Sequence, residues 1–397
     1  MILSHLSLLD FRNYRAAEVG FVPGSNVVVG RNGQGKTNLV EAVGYLATLG
    51  SHRVSSDQSL VRHGADAAIV RARLEHEGRE VTAELQLNRV GANRAQLNRS
   101  PVRPREIARY LTTVLFAPED LAIVRGEPGG RRRFLDELLI QRTPRLAGVI
   151  ADYERVLRQR NTLLKTARSS GAVEKSLSTL EVWDERMIAL GTEIVLARHR
   201  LVRALEPELV AAYEGIAGAG QPVRLGESLS VLGADAEADA GASPFAEDPD
   251  PAEVREAYAR AIADRRRAEL DRGVSLVGPH RDDLVLELNG LPARSTASHG
   301  ESWSYALALR LAAAEVLRRE SNGGDPIVVL DDVFAELDER RRQRLATAIE
   351  GYEQVLITAA VEGDVPPALL GHRVRIEAGA VVEDDASADG EPVEESS

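Results

Sequence analysis

The 397-residue chain contains no cysteine. This absence excludes disulfide bonds, metal sites built from thiolates and a cysteine nucleophile. Lysine is also rare, since only Lys36, Lys165 and Lys175 occur among 49 basic residues. No apolar run reaches the ~18 residues of a membrane-spanning helix, and the first ten residues lack the positively charged start of a secretion signal. We therefore expect a cytoplasmic protein that is neither secreted nor membrane-spanning.

The net charge of −12 comes largely from two acidic stretches. Residues 235–253 and 383–397 each carry seven acidic residues and no lysine or arginine, so the rest of the chain has a net charge near +2. Both stretches are also rich in Ala, Gly, Pro and Ser, which is typical of a solvated loop and a disordered tail. A surface that binds a polyanion is therefore compatible with the acidic total.

Hydrophobic periodicity indicates α/β structure at both ends of the chain and helices in the middle. The expected strands are 2–9, 26–29, 70–74, 80–87, 284–288, 327–330 and 354–357. The expected helices are 39–49 with a stop at Gly50, 131–169, 175–214, 301–320 and 339–351. We therefore predict one α/β core built from residues 1–120 and 273–380, with a helical lobe at 121–272 and an acidic disordered tail at 381–397.

Residues 30–37 read GRNGQGKT and match the phosphate-binding pattern G-x-x-x-x-G-K-[ST] between a strand and a helix. In such a loop the backbone N–H groups surround the phosphates, Lys36 bridges the β- and γ-phosphates, and the Thr37 hydroxyl binds Mg²⁺. The alternative is a glycine-rich turn followed by a chance Lys-Thr pair, which the flanking strand and helix disfavour. The residues expected to hold the nucleotide are Gly30, Arg31, Asn32, Gly33, Gln34, Gly35, Lys36, Thr37 and Asn38.

Two adjacent carboxylates, Asp331 and Asp332, follow the apolar strand 327–330. Adjacent carboxylates at a strand end are costly unless a cation or solvent compensates them. We expect Asp331 to hold Mg²⁺ and Asp332 to orient or deprotonate the attacking water. Taken alone, the pair is more typical of an acidic boundary between a strand and a turn, but beside the phosphate-binding loop that interpretation loses its advantage.

A serine-glycine helix start at residues 298–301 has two compatible interpretations. Locally, Ser298 and Glu301 form the pattern of a capping box. In addition, a helix N-terminus that carries Ser298 and Gly300 can hold the γ-phosphate of a nucleotide bound to another subunit. Asp338 similarly begins an arginine-rich helix, either as a simple N-cap or at a junction between subunits.

Together these features resemble the ABC-type ATPase head and, within that class, the RecF family of bacterial recombination mediators. Further matching strings occur between about residues 9 and 360: FRNY at 11–14, PEDL at 118–121, GEP at 126–128, RRRFLD at 131–136, QRN at 159–161 and GPHRDD at 278–283. The resemblance implies a slow, DNA-stimulated ATPase that uses ATP and Mg²⁺. It also implies an ATP-dependent homodimer, with Arg12 and its neighbours near the adenine.

For the partners, the resemblance implies binding to single- and double-stranded DNA at gap junctions, and loading of RecA together with RecO and RecR. Three features depart from the ABC pattern. The signature segment has Ala297, His299 and Glu301 in place of the usual residues, Asp332 replaces the usual glutamate, and residues 357–360 lack the switch histidine. No residue is identified for a glutamine loop.

DNA contact is expected from arginines, although a solvated helix face is the more common role for any single one of them. The candidates are Arg131, Arg132, Arg133, Arg155, Arg158, Arg160, Arg265, Arg266 and Arg267. The sequence leaves open a nucleotide-switched DNA scaffold with little hydrolysis, or another SMC-like ABC ATPase. A transporter ATPase, a chromosome-organising ATPase with long coiled-coil arms and a small-molecule kinase are disfavoured.

Overall fold

The computed structural model describes residues 1–54, 56–76, 78–170, 173–233, 248–321 and 324–384. Its strands are β1 (Ile2–Phe11), β2 (Tyr14–Gly20), β3 (Gly24–Val29), β4 (Ala67–His76), β5 (Arg79–Asn88), β6 (Arg94–Leu97), β7 (Ser100–Val102), β8 (Thr113–Phe116), β9 (Val223–Ser228), β10 (Asp283–Leu288), β11 (Leu291–Pro292), β12 (Ile327–Asp331), β13 (Gln354–Ala359), β14 (His372–Glu377) and β15 (Ala380–Asp384). Its helices are α1 (Lys36–Thr48), α2 (Pro104–Ile107), α3 (Leu121–Arg125), α4 (Pro128–Arg142), α5 (Leu146–Ser170), α6 (Val173–Ala217), α7 (Pro251–Arg272), α8 (Ala293–Thr296), α9 (His299–Glu320) and α10 (Glu339–Ile349).

The chain divides into two compact units. The first contains Met1–Asp120, Ala211–Ala219 and the residues from Leu307 onward, and the second contains Leu121–Val210 and Gly220–Ala306. No helix in the described residues is long and apolar enough to cross a membrane.

The first unit contains a six-stranded sheet in the order β15-β14-β3-β13-β12-β8. All neighbours are parallel except the β14–β15 pair. The N-terminal strand β3 lies between the C-terminal strands β13 and β14, so the prediction of a core built from both chain ends is confirmed. Because parallel strands share the edge at which they end, the loop after β3 and the two acids at the end of β12 meet there.

A second sheet of the first unit is antiparallel, in the order β2-β1-β4-β5-β6-β7. Alternate side chains along β5 are buried, as expected for a sheet with one apolar face. That face belongs to a core which also includes Leu39, Val43 and Leu46 of α1. The predicted pairing of two antiparallel strands near residues 70–87 is confirmed by the β4–β5 register.

Three predicted boundaries are wrong. Residues 131–169 form two helices, because α4 ends at Arg142 and Pro144 follows, where a continuing helix would lose a backbone hydrogen bond. Helix α1 ends at Thr48, and Leu49 follows it in the left-handed conformation (φ 53°), one residue before the expected stop at Gly50. The return to the first unit falls at Leu307 and not at residue 273, because β10 pairs with β9 of the second unit.

The two acidic stretches lie mostly outside the described residues. Of the first stretch, only the end is described, where Asp250 caps α7 by accepting a hydrogen bond from the backbone N–H of Ala252. The tail expected to be disordered from residue 381 instead begins with strand β15, which pairs with β14. Residues 235–247 and 385–397 lie outside the described residues.

The segment Gly278–Asp283 contributes a buried carboxylate to the second unit. Asp282 is 3% exposed, and its Oδ1 accepts hydrogen bonds of 2.8 Å from both the backbone N–H and the hydroxyl of Ser230. Burial raises the pKa of Asp282 from 3.8 to about 6, although the hydrogen bonds from Ser230 act in the opposite direction. The folded protein therefore keeps this proton to a higher pH than the unfolded chain does.

We expect the free energy of unfolding of the second unit to fall as the pH rises from 3.8 to about 6, because Asp282 must ionise in a buried site. Asp282→Asn, which keeps the acceptor oxygen, should flatten that part of the profile. Urea unfolding can be followed by the fluorescence of Trp183 and Trp303, both in this unit. The exposed Asp271→Asn is the control, and an unchanged profile for Asp282→Asn would contradict the assignment.

Candidate nucleotide-binding site

The loop between β3 and α1 is built around glycines that no other residue can replace without strain. Gly33 and Gly35 have φ values of 80° and 122°. A Cβ atom on Gly35 would lie 2.8 Å from the hydroxyl of Tyr14, and one on Gly30 would lie 2.4 Å from the carbonyl oxygen of Ile376. Strand β3 therefore leads into a tightly held loop that places the N-terminus of α1 behind it, as phosphate binding requires.

Lys36 lies at the start of α1 and is 4% exposed. Its Nζ donates to the Arg31 carbonyl oxygen at 3.5 Å and to Asn32 Oδ1 at 3.4 Å, so the ammonium group bends back over the loop. Next to it is a cavity of about 220 Å³. The cavity is lined by Asn32, Gly33, Gly35, Lys36, Thr37, Asn38, Arg53 and Asp332.

Asp331 ends β12 directly beside this loop. Its Oδ1 accepts hydrogen bonds from Thr37 Oγ1 at 3.2 Å and from Thr358 Oγ1 at 2.6 Å. Burial raises the pKa of Asp331 above its ordinary value, and the negative charge of Asp332 acts in the same direction, whereas the two threonine hydrogen bonds act against it. A buried carboxylate of this kind is stabilised by a bound cation.

Asp332 has a left-handed backbone conformation (φ 56°) that non-glycine residues rarely adopt. Its backbone N–H donates to Thr358 Oγ1 at 2.9 Å. Its buried Oδ1 has no hydrogen-bond partner among the described residues, and the side chain lines the cavity beside Lys36. An unpaired buried acceptor facing a cavity is suited to bind a ligand or a water molecule.

These oxygen donors fit Mg²⁺. The ion prefers oxygen ligands and is held in phosphate-binding sites by one or two protein groups together with water and substrate phosphates. The Thr37 hydroxyl and the Asp331 carboxylate supply such groups, already 3.2 Å apart. The described residues contain no cluster of three His, Cys, Asp or Glu side chains that could hold a metal by themselves.

Arg12 is held by a buried carboxylate of α1. Its Nε and Nη2 donate to the two oxygens of Glu41 at 2.8 and 2.6 Å, while the hydroxyl of Ser51 donates to the same carboxylate. Arg53 Nη1 lies 3.6 Å from Glu41 and donates to Asn38 Oδ1 at 2.9 Å. Burial favours a raised pKa for Glu41, but these hydrogen bonds and charges hold its pKa below the ordinary value.

A larger cavity, of about 680 Å³, shares Asn38 and Arg53 with the cavity beside Lys36. It is lined by Arg12, Asn13, Asn38, Arg53, Ser59 and His63, among others. Asn13 also ties this region to the glycine loop, since its Nδ2 donates to the Gln34 carbonyl oxygen at 3.0 Å. The two cavities together offer space for a phosphate chain and for a larger polar group beside Arg12.

The structure thus brings the predicted loop residues together with Arg12, Asp331 and Asp332. Sequence reasoning missed Thr358, Glu41 and Arg53, and it also missed His52. Burial lowers the pKa of His52, although nearby Glu119, Glu41 and Asp331 act in the opposite direction. The available signal for Thr358 was its place directly after the predicted strand 354–357. Strand β13 in fact runs on to Ala359, and its pairing with β12 sets Thr358 opposite Asp331.

Ser298 and Gly300 belong to the second unit, at the start of α9. The backbone N–H of Ser298 donates to Glu301 Oε2 at 2.7 Å, and the N–H of Glu301 donates to Ser298 Oγ at 3.3 Å, which confirms the predicted capping box. Ser298 and His299 are exposed. In the first unit, Asp338 caps α10 by accepting a hydrogen bond of 2.9 Å from the backbone N–H of Arg341.

Two of the arginines expected to contact DNA are unavailable for it. The Arg160 side chain is fully buried, where it pairs with Asp184 and Glu269. Arg131 is 4% exposed and forms a two-point ion pair with Asp283, both bonds at 2.7 Å. The prediction for Arg131 and Arg160 is therefore wrong, because each guanidinium is used inside the second unit.

The remaining arginine candidates differ in exposure. Arg132 and Arg266 are half-buried; Arg132 donates to the carbonyl oxygen of Asp282, and Arg266 pairs with Asp184. The exposed candidates are Arg133, Arg155, Arg158, Arg265 and Arg267.

Comparison with known proteins agrees with the geometry. A family model described as the RecF/RecN/SMC N terminal domain matches residues 2–374. A DNA replication and repair protein RecF from Leifsonia xyli subsp. xyli is 60% identical over 383 residues, which cover 96% of this chain and 100% of that protein. Another from Clavibacter michiganensis subsp. michiganensis is 57% identical, with coverage of 98% and 97%.

Solved structures show the same fold. A structure of the recombination mediator protein RecF-ATPrS in the RecFOR pathway superimposes with a TM-score of 0.85 at 26% identity and covers 96% of this chain and 98% of that one. An Smc head domain from Pyrococcus furiosus gives a TM-score of 0.53 at 17% identity, with coverage of 97% of both chains, and supports the fold alone. The predicted ABC-type ATPase head is confirmed, and the chain belongs to the RecF family.

Proposed function

We propose that this protein is an ATP-dependent DNA-binding protein of recombinational repair and replication restart. The observation that carries the proposal is the meeting of Lys36, Thr37 and Asp332 around one cavity, with Asp331 bonded to Thr37 beside it. A buried cation, a hydroxyl, a buried carboxylate and an unpaired carboxylate oxygen are the groups that hydrolysis of a nucleoside triphosphate needs. The RecF structures described as RecF-ATP and RecF-ATPrS support ATP as the nucleotide.

Each residue has a distinct task in this proposal. The backbone of Gly30–Asn38 and the Lys36 ammonium bind the phosphates, and Arg12 lies toward the base. Thr37 and Asp331 hold Mg²⁺, which neutralises charge on the phosphate oxygens when it is bound. Asp332 orients a water molecule at its free oxygen and accepts its proton.

The complete site is proposed to form between two copies of the chain. Ser298 and Gly300 of one copy would meet the γ-phosphate held by Lys36 of the other, because the exposed, capped start of α9 offers a helix N-terminus to an anion. A two-fold contact buries the same surface on both copies, so both sites would close together. ATP would thus favour the dimer and hydrolysis would reverse it.

DNA is the proposed partner of the exposed arginines of the second unit. Among the described residues, Arg155 and Arg158 pair with neighbours on the same helix, Asp152 and Glu154. Exposed ion pairs contribute little to stability, so phosphates can replace the carboxylates at small cost. We propose single- and double-stranded DNA, joined at the edge of a gap, as the substrate in the cytoplasm. RecR, with RecO and RecA, is the proposed set of protein partners, by analogy with the RecFOR pathway of the solved relatives.

One experiment tests the site between two copies and the ATPase activity together. Light scattering should show the mass doubling with ATP, Mg²⁺ and gapped DNA but not with ADP, and phosphate release in the same samples should rise when gapped DNA is added. An unchanged mass would contradict the two-copy site. A doubled mass without DNA-stimulated release would favour the alternative, a nucleotide-switched DNA scaffold. Two residues also favour this alternative: Asp332 has a shorter side chain than the usual glutamate, and Ala359 lies in the segment that lacks the switch histidine.

A further inference from the structure

Thr358 connects the two acids of the nucleotide site through a single oxygen. Its side chain is fully buried on β13. The hydroxyl donates to Asp331 Oδ1 at 2.6 Å and accepts from the backbone N–H of Asp332 at 2.9 Å. A hydroxyl has one proton to donate and lone pairs to accept with, so both contacts can form at once.

The sheet register fixes this arrangement. Strands β12 and β13 are parallel neighbours, and Asp331 lies opposite Thr358 in the ladder. Asp331 Oδ1 also accepts the longer hydrogen bond from Thr37, at 3.2 Å. The shorter bond, to Thr358, is therefore the one that orients the carboxylate before any ligand binds.

The contact to Asp332 matters because the chain leaves β12 there in a strained conformation. A left-handed backbone at a non-glycine residue is unfavourable and persists where its surroundings hold it. The Thr358 hydroxyl satisfies the Asp332 N–H at that point. It thereby helps to keep the unpaired Asp332 Oδ1 in the wall of the cavity beside Lys36.

We propose that Thr358 is a positioning residue for nucleotide hydrolysis, which orients the carboxylate of Asp331 for the cation and holds Asp332 toward the reacting water. This inference rests on the proposed function of the site. Thr358 touches neither nucleotide nor water in this role and acts through its two neighbours. Groups that orient a metal ligand in this way typically change metal affinity or activity by about 10–100-fold when removed.

The chain allows a matched set of variants. Thr358→Val keeps the branched shape and removes the hydroxyl, whereas Thr358→Ser keeps the hydroxyl and removes a methyl group. Thr347→Val makes the first change at an exposed position of α10, where the hydroxyl donates to the Gln343 carbonyl oxygen. Thermal unfolding of each variant reports any loss of folding.

Two quantities should be measured: the Mg²⁺ concentration that half-saturates tight binding of a fluorescent ATP analogue, and the rate of phosphate release at saturating ATP and Mg²⁺. In Thr358→Val we expect the half-saturating Mg²⁺ concentration to rise and the rate of phosphate release to fall, each by about 10-fold or more. Thr358→Ser and Thr347→Val should stay within about 3-fold of the unmodified protein in both.

Two results would overturn the inference. One is a Thr358→Val protein with unmodified Mg²⁺ dependence and turnover. The other is equal loss in the Val and Ser variants in step with thermal stability, because that pattern indicates packing rather than the hydroxyl. Failure of the unmodified protein to bind the analogue would instead overturn the proposed function, and this inference with it.

Discussion

Replacing Lys36 with alanine is expected to weaken ATP binding by about 100-fold or more. The Lys36 side chain is almost fully buried, and its ammonium group donates to neutral oxygens of Arg31 and Asn32 at 3.5 and 3.4 Å. No carboxylate of the described residues lies within ion-pair distance of it. A desolvated cation without a counter-charge is unfavourable, and phosphate oxygens supply that charge.

The size of the effect follows from the bonds that would be lost. Hydrogen bonds to charged groups contribute about 1.5–3 kcal/mol each, and a lysine between two phosphates makes two of them. Their loss corresponds to about 100-fold or more in the dissociation constant. The alanine variant should fold at least as stably as the unmodified protein, because it removes a buried charge that has no ion-pair partner.

The measurement is an equilibrium titration with a fluorescent ATP analogue in excess Mg²⁺. Lys165→Ala is the matched control, since Lys165 is an exposed lysine of α5 in the other unit. It should bind the analogue as the unmodified protein does. Affinity of Lys36→Ala within about 3-fold of that control would contradict the assignment of the cavity to phosphate.

The glycine loop and the acidic strand end could be predicted from sequence because each is a local pattern. Gly30 to Thr37 fall between a β-branched run and a helical pattern, and that context fixes where the loop stands in the fold. The apolar run before Asp331 equally marks a buried strand. Parallel pairing then brings both ends to one edge, so no side-chain detail was needed to place Lys36, Thr37 and Asp331 together.

The supporting residues could not be predicted because their roles depend on contacts between distant segments. Glu41 reads as one polar position of a helix, yet it is buried and holds Arg12, 29 residues earlier in the chain. Thr358 reads as an ordinary strand residue, 27 residues after Asp331. Burial also decides which arginines are available to contact DNA. Arg160 follows the pattern of a solvated helix face, but its side chain is buried and pairs with Asp184 and Glu269.

Asp332→Asn is expected to retain ATP binding and to lower phosphate release by about 100-fold or more. Asparagine keeps the size of the side chain and an oxygen at the cavity wall, but an amide cannot accept the proton of an attacking water. General-base catalysis contributes typically 10²–10⁴-fold, so its loss should appear in turnover rather than in affinity. If hydrolysis releases the two copies, the same change should prolong the ATP-bound dimer.

Single-turnover phosphate release and light scattering over time, both begun by adding ATP and Mg²⁺, separate these effects. Glu336→Gln, an exposed carboxylate close in sequence, is the control and should behave as the unmodified protein. The unpaired Oδ1 of Asp332 supports its role, because a buried acceptor without a partner is costly unless a ligand or water satisfies it. Undiminished turnover in Asp332→Asn would show that another group accepts the proton of the attacking water. Slowed turnover with an unchanged dimer lifetime would show that hydrolysis does not release the two copies.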